Sequence, residues 1–344
     1  MRPPCGPLRL TPVFLPKVWA APCFPDPWAS SLGAPPGTGE VWLASDRLHI
    51  TPVAAGPLAG EGLDQVIRRW PDYLLGPGAT PGFPLLLKLL CVGQWLSVQV
   101  HPDDATAARL ENEPWGKGEA WHILHAEPGA ELVHGMTPGA GLAQVARAAA
   151  AGRLPELLAK VPTQRGDTFN LPAGTLHTTG PGLLILEVQQ ASDLTYRLYD
   201  WNRPGPDGKP RPLHMERALQ ALKPSGPGEP QPPLRLSPPP WGVWALVQTE
   251  SFGLLKYEIM ENGPLQKPGP GPGLLWVEQG AGRLVFPGGE HQEEELAPGQ
   301  CWLLPAGLAP AQVAARGKMV FYQAWAPEVR DLPGPKTLGG KAKA

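Results

Sequence analysis

Cysteine is scarce in this chain. The 344 residues hold four, at positions 5, 23, 91 and 301, and no two lie close together. That spacing excludes a dense disulfide framework and a Cys-type zinc site. It fits a reducing compartment, so the cytoplasm is the expected location. Charge is sparse too: charged residues make up 17% and the formal net charge is -2. No global positive field draws in nucleic acid, and an anionic small molecule needs a local group of Lys and Arg. Long apolar runs are also missing. The longest is broken by Lys88 and Gln94, which leaves no membrane span. The opening "MRPPCGPLRLTPVFLPKVW" lacks the apolar core of roughly 7–15 residues that a secretion signal carries.

What the chain has in quantity is turn-forming residues. Pro (47) and Gly (42) together exceed a quarter of it, spread between short apolar runs, which suits many short strands joined by turns. "GEVWLAS" (39–45), "LHITPV" (48–53), the run 85–90 and the run 96–101 read as strands. "EAWHILHAEPGAELVHG" reads as two strands around a Pro-Gly turn. "LDQVIRRWPDYLLG", "PDDATAARLENE" and "HMERALQALK" have helical character, and "GLAQVARAAAAGRLPELLAK" reads as a helical pair interrupted at Gly152 and Pro155. "GDTFNLPAGTLH" (166–177) is echoed by "GQCWLLPAGLAP" (299–310), a strand between glycine turns that recurs in jelly rolls. The expected fold is therefore mainly β: two cupin or jelly-roll-like β-barrels with a small helical part. Residues 1–234 form the first half, with a helical insertion near 137–160. Residues 235–330 form the second, metal-free half, and 331–344 a flexible tail. His177 in the first echo is replaced by Pro310 in the second.

The stretch "LSVQVHPDD" (96–104) carries the chemistry. Period 2 places Val98 and Val100 on one face and Ser97, Gln99 and His101 on the other. Glu119 opens the next strand, and His177 follows Pro-Ala-Gly-Thr. Two imidazoles, a carboxylate and an amide oxygen suit a borderline divalent cation, most naturally zinc. Spacing alone leaves a second reading open, since a strand histidine is commonly a hydrogen-bonded structural residue. Asp103 and Asp104 read as helix-cap residues.

"LSVQVHPDD", "GKGEAWHIL" and "LPAGTLHTTGPGLLILEVQQASDLTYRLYDWNR" closely resemble, in order, the motifs of type I mannose-6-phosphate isomerases of the short bacterial form. The resemblance implies a zinc-dependent aldose–ketose isomerase with a cupin-type core, one Zn2+ per chain and a sugar phosphate as substrate. It implies Gln99, His101, Glu119 and His177 as metal ligands, Arg197 and Lys117 as catalytic residues, and Lys88 near the substrate. The long forms of the family carry His immediately before that Lys; here the position is Gly116.

Interconverting mannose 6-phosphate and fructose 6-phosphate moves a proton between C2 and C1, and the expected intermediate is a cis-enediol. Developing charge needs an electrophile, which zinc supplies. The phosphate needs a cationic grip, for which Lys88 and Arg203 are candidates with the Ser97 hydroxyl. The base stays open among Lys117, Asp193, Glu187 and a water. A monomer or weak dimer is expected, with no nucleic-acid or membrane partner. Two other readings stand beside the isomerase: a cupin-fold sugar-binding module, and another metal-dependent cupin enzyme using two His and one carboxylate.

Overall fold

Alternation of apolar and polar residues, with Gly and Pro at the turns, sets the chain into four antiparallel sheets stacked face to face. The computed structural model describes residues 6–326 apart from 80–81, 206, 238–240, 268 and 289–291. The first sheet orders its strands Tyr196–Tyr199, Val98–Val100, His177–Thr179, Glu131–Met136, Leu158–Pro162. The second orders Val13–Pro16, Thr38–Ala44, Leu85–Val92, Leu183–Gln190, Glu119–Ala126, Thr168–Leu171. The third has seven strands centred on Gly273–Gln279, Met319–Trp325 and Gly253–Ile259, and the fourth has four short ones from Gly263 to Ala315. None closes on itself, so the expected barrels are pairs of open sheets.

The strands Leu85–Val92, Leu183–Gln190 and Glu119–Ala126 of the second sheet split their side chains between two cores. Leu90, Trp121, Ile123, Phe169 and Ile185 face the first sheet, where they pack with Leu96 and Leu132. Leu87, Leu89, Ala120, Leu184 and Leu186 face the third sheet and pack with Leu254, Leu274, Trp276 and Tyr322. Every residue of Leu85–Val92 is buried as a result, Lys88 included. A third cluster, with Leu255, Tyr257, Val277 and Phe321, lies between the third and fourth sheets. Val98 and Val100 point outward from the first sheet into a layer formed by the helices Leu142–Ala150 and Met215–Ala221. Gln99 and His101 are thereby turned inward.

Several local expectations change. Residues 48–53 form no strand: Leu48 has φ 51°, and the Thr51 hydroxyl folds back to the Ser45 carbonyl, so the segment is a loop. The helix over 63–75 breaks at Trp70, because Pro71 starts a second short helix. The second of the paired helices is a single 3-10 turn, Leu154–Leu157, and the chain continues as the strand Leu158–Pro162. The two strands around the Pro-Gly turn are not a hairpin. Glu119–Ala126 lies in the second sheet and Glu131–Met136 in the first, so the turn carries the chain across the core. Asp103 is the N-cap of Asp104–Glu111, its carboxylate accepting from the Thr106 N–H at 2.9 Å. The proposed tail, 331–344, lies outside the described residues.

Candidate metal centre and active site

Strand register brings the inward side chains together. Gln99 lies opposite both Arg197 and His177, and His177 opposite His134, so these four form one row across the first sheet. On the facing sheet Trp42, Lys88, Glu187, Trp121 and Phe169 form a second row, with Glu119 two residues from Trp121 on the same face. His101, Glu119 and His177 meet between the sheets, their donor atoms all within 4.8 Å of one another. The His177 Nε2 is 3.0 Å from one Glu119 oxygen and the His101 Nε2 is 3.6 Å from the other.

The imidazoles are held in one tautomer. His101 Nδ1 lies 2.7 Å from the Leu194 carbonyl oxygen and His177 Nδ1 2.9 Å from that of Thr175. A carbonyl only accepts, so each Nδ1 carries the proton and each Nε2 presents a lone pair to the centre. Burial drives the His101 pKa down to about 4, and the Lys117 ammonium adds to this. Glu119 is fully buried. Burial opposes its charge, but the neighbouring Lys117 ammonium opposes that in turn, and the carboxyl is held well below the usual range. Neither of its oxygens accepts a well-formed hydrogen bond, although the Lys117 ammonium lies 2.8 Å away. Gln99 places its amide 3.3 Å from His177 Nε2 and 3.2 Å from the Ser97 hydroxyl. A half-turn of that amide presents its oxygen to the centre and keeps Ser97 as a partner. Two neutral imidazoles, an under-bonded carboxylate and an amide oxygen fit a borderline divalent cation.

Lys117 is buried, not on the surface as a Gly-Lys-Gly loop suggests, and its ammonium lies 3.2 Å from His101 Nε2. Its loop is fastened by backbone donors. Gly116 N–H donates to Asp104, Lys117 N–H to the Pro102 carbonyl, and Gly118 N–H to the Gln190 amide oxygen.

Similarity to known proteins follows these motifs. The family model for phosphomannose isomerase type I, catalytic domain, matches residues 28–116. A mannose-6-phosphate isomerase of Streptococcus mutans serotype c is 37% identical over 249 residues, 72% of this chain and 77% of that protein. The chain belongs to the type I phosphomannose isomerase family. It is therefore an isomerase. The crystal structure of the mannose 6-phosphate isomerase from Bacillus subtilis matches with a TM-score of 0.83 at 30% identity, covering 93% of this chain and 99% of that one. A zinc-bound mannose 6-phosphate isomerase that is 15% identical shares the fold, with a TM-score of 0.73 over 93% of this chain and 99% of that one.

Gly116 stands where the resemblance implies His in the long forms. A Cβ at this position would stand 2.4 Å from the backbone of Pro102 and Asp103, so no side chain fits without moving the strand end that carries His101. Lys88 lies 3.4 Å from Glu187 and 4.6 Å above the Trp42 ring. Burial disfavours its charge, yet Glu187, Glu40 and Asp193 outweigh this and raise its pKa. The Glu187 pKa is raised by burial and by nearby Glu119. Trp121 stands between the groups: its indole N–H donates to Glu187 at 2.8 Å, and its ring meets His177 edge-on at 5.3 Å. A cavity of about 410 Å³ beside Lys88 is lined by residues that include Trp42, Ser45, Arg47, Asp193 and Leu194.

Arg203 stands apart from this centre. Its guanidinium donates to the Trp95 carbonyl at 2.6 Å and to Asp200 at 2.7 Å, and Asp200 also takes two hydrogen bonds from Arg211. Arg197 donates to the Pro212 carbonyl, while its buried Nε has no partner. The reading of the sequence missed Glu40. Its carboxylate bonds the Trp42 indole at 2.8 Å and pairs with Lys17 at 3.1 Å. Alternation in "GEVWLAS" was a usable signal, since it puts Glu40 and Trp42 on the face that carries Lys88.

Proposed function

We propose that the chain is a zinc-dependent aldose–ketose isomerase that interconverts mannose 6-phosphate and fructose 6-phosphate through a cis-enediol. The observation that carries this reading is the buried His101–Glu119–His177 group, with both Nε2 lone pairs and an under-bonded carboxylate turned to one point. Gln99 completes the proposed ligand set. One zinc ion per chain would polarise the substrate oxygens as a Lewis acid.

The chain's own residues do the rest. Glu187 is the proposed base: burial and Glu119 raise its pKa, which makes the carboxylate a stronger proton acceptor, and Lys88 and Trp121 orient it. Lys117, ion-paired to Glu119, and Arg197, in the row with Gln99, stabilise negative charge that develops on O1 and O2. Lys88 and Ser97 serve as substrate contacts. Arg203 acts with Arg197 and Arg211 as a cationic group that offsets Asp200 and attracts the phosphate dianion. The cavity beside Lys88 lies within the size range of small-ligand sites and is the proposed way in.

The paired sheets and the Pro-Ala-Gly echo support a double jelly-roll, cupin-like reading, divided near residue 234 into a catalytic half and a metal-free half. Sparse cysteine supports a cytoplasmic enzyme; a monomer or weak dimer is the proposed assembly. His101→Ala is expected to lose both zinc and turnover. Arg197→Ala is expected to keep zinc and lose most turnover. Metal analysis with a coupled assay for fructose 6-phosphate reads both. An Arg197→Ala enzyme with an unchanged rate would remove Arg197 from the chemistry.

A further inference from the structure

The strand that carries Glu119 has a second face, and a buried polar chain lies behind it. The Thr168 hydroxyl meets His122 Nδ1 at 2.8 Å, and His122 Nε2 meets the Tyr322 hydroxyl at 3.2 Å. That hydroxyl lies 3.0 Å from one Glu278 oxygen, and Arg165 donates to the other at 2.7 Å. His122, Thr168, Tyr322 and Glu278 are all buried, between the second and third sheets.

One proton order satisfies every member. Arg165 can only donate, and Tyr322 gives its single proton to the Glu278 carboxylate. The Tyr322 oxygen then accepts from His122 Nε2–H, and His122 Nδ1 accepts from Thr168. Burial, with Lys256 and Arg165 adding, keeps His122 neutral, its pKa pushed down to about 3.

The chain fastens two segments that the metal centre depends on. Thr168–Leu171 is the outer strand of its sheet and pairs there with Glu119–Ala126, with Leu171 opposite Glu119 and Thr168 opposite His122. Beyond Leu171 the backbone turns through Thr175, whose carbonyl orients His177. An outer strand held along one edge shifts more easily than a central one.

We propose that Tyr322 is a positioning residue. From the C-terminal part of the chain, through His122 and Glu278, it holds the two segments that set the spacing of Glu119 and His177. This rests on the reading of that group as a divalent-cation site. Groups that orient metal ligands commonly contribute about 10- to 100-fold to metal affinity.

The test compares Tyr322→Phe with Tyr257→Phe in the full chain. Tyr257 lies on the opposite face of the same sheet, its hydroxyl bonded to Gln323 and the Gln266 N–H, away from the centre. Zinc affinity is read by competition with a chromophoric chelator, and stability by thermal unfolding. Tyr322→Phe is expected to weaken zinc binding by about tenfold. Tyr257→Phe is expected to lose comparable stability with zinc affinity unchanged. Equal zinc affinity in the two variants overturns the inference. If Tyr322→Phe does not fold, Glu278→Gln perturbs the same chain with the shape kept, and unchanged zinc affinity there overturns it equally. A wild-type chain that takes up no zinc overturns the metal reading itself, and this inference with it.

Discussion

At the scale of single residues, the decisive couple is Lys88 and Glu187. Lys88 lowers the Glu187 pKa, against burial and Glu119, which raise it. As the proposed base Glu187 must be ionised, so activity is expected to fall as pH drops through that pKa. Removing Lys88 raises it further, so Lys88→Met is expected to move the acid limb of the kcat profile to higher pH. An acid limb that stays in place would remove Glu187 as the base. Gly116 supports a second prediction. A methyl there meets backbone at 2.4 Å, so Gly116→Ala is expected to cost about 1–3 kcal/mol in urea unfolding. At this scale the sequence was informative where alternation acts. Gln99 and His101 share a face because a strand has period 2. The burial of Lys117 was not legible, because the acceptors that hold its loop come from Asp104, Pro102 and Gln190, and the last is distant in sequence.

At the scale of elements, strands were read better than their partners. Glu119–Ala126 and Glu131–Met136 were both visible, but their membership of different sheets depends on long-range pairing. The loop at 48–53 shows the converse: an apolar run with strand-like composition is overridden by local bonds between Ser45 and Thr51. The pin between Glu119–Ala126 and the outer strand Thr168–Leu171 has a pH signature. His122 titrates near its ordinary value of about 6.5 when unfolded and at about 3 when folded. Between those values the unfolded chain binds more protons, so stability falls as pH drops below about 6.5, by at most about 1.4 kcal/mol per pH unit from this group. His122→Gln is expected to flatten that slope in urea titrations between pH 6.5 and 4. A slope equal to that of the wild type would show that His122 is not held neutral by the fold.

At the scale of the whole molecule, the second sheet is shared. One face builds the centre, and the other joins it to the C-terminal sheets. The Pro-Ala-Gly echo in the sequence pointed to two related halves. It could not show that the second sheet packs against the third, nor that Leu8–Leu10 crosses over to pair with Cys301–Leu304. A cation bound to the folded state alone stabilises the molecule, by about 2.7 kcal/mol at a hundredfold excess over Kd. Zinc is therefore expected to raise Tm, and His101→Ala to abolish that rise in differential scanning calorimetry. The central claim meets its most direct test in turnover. The chain is stripped with EDTA, reloaded with zinc and supplied with mannose 6-phosphate, and fructose 6-phosphate is measured in a coupled assay. The account predicts loss of turnover on stripping and recovery with zinc; a zinc-loaded, folded chain that forms no fructose 6-phosphate would contradict it.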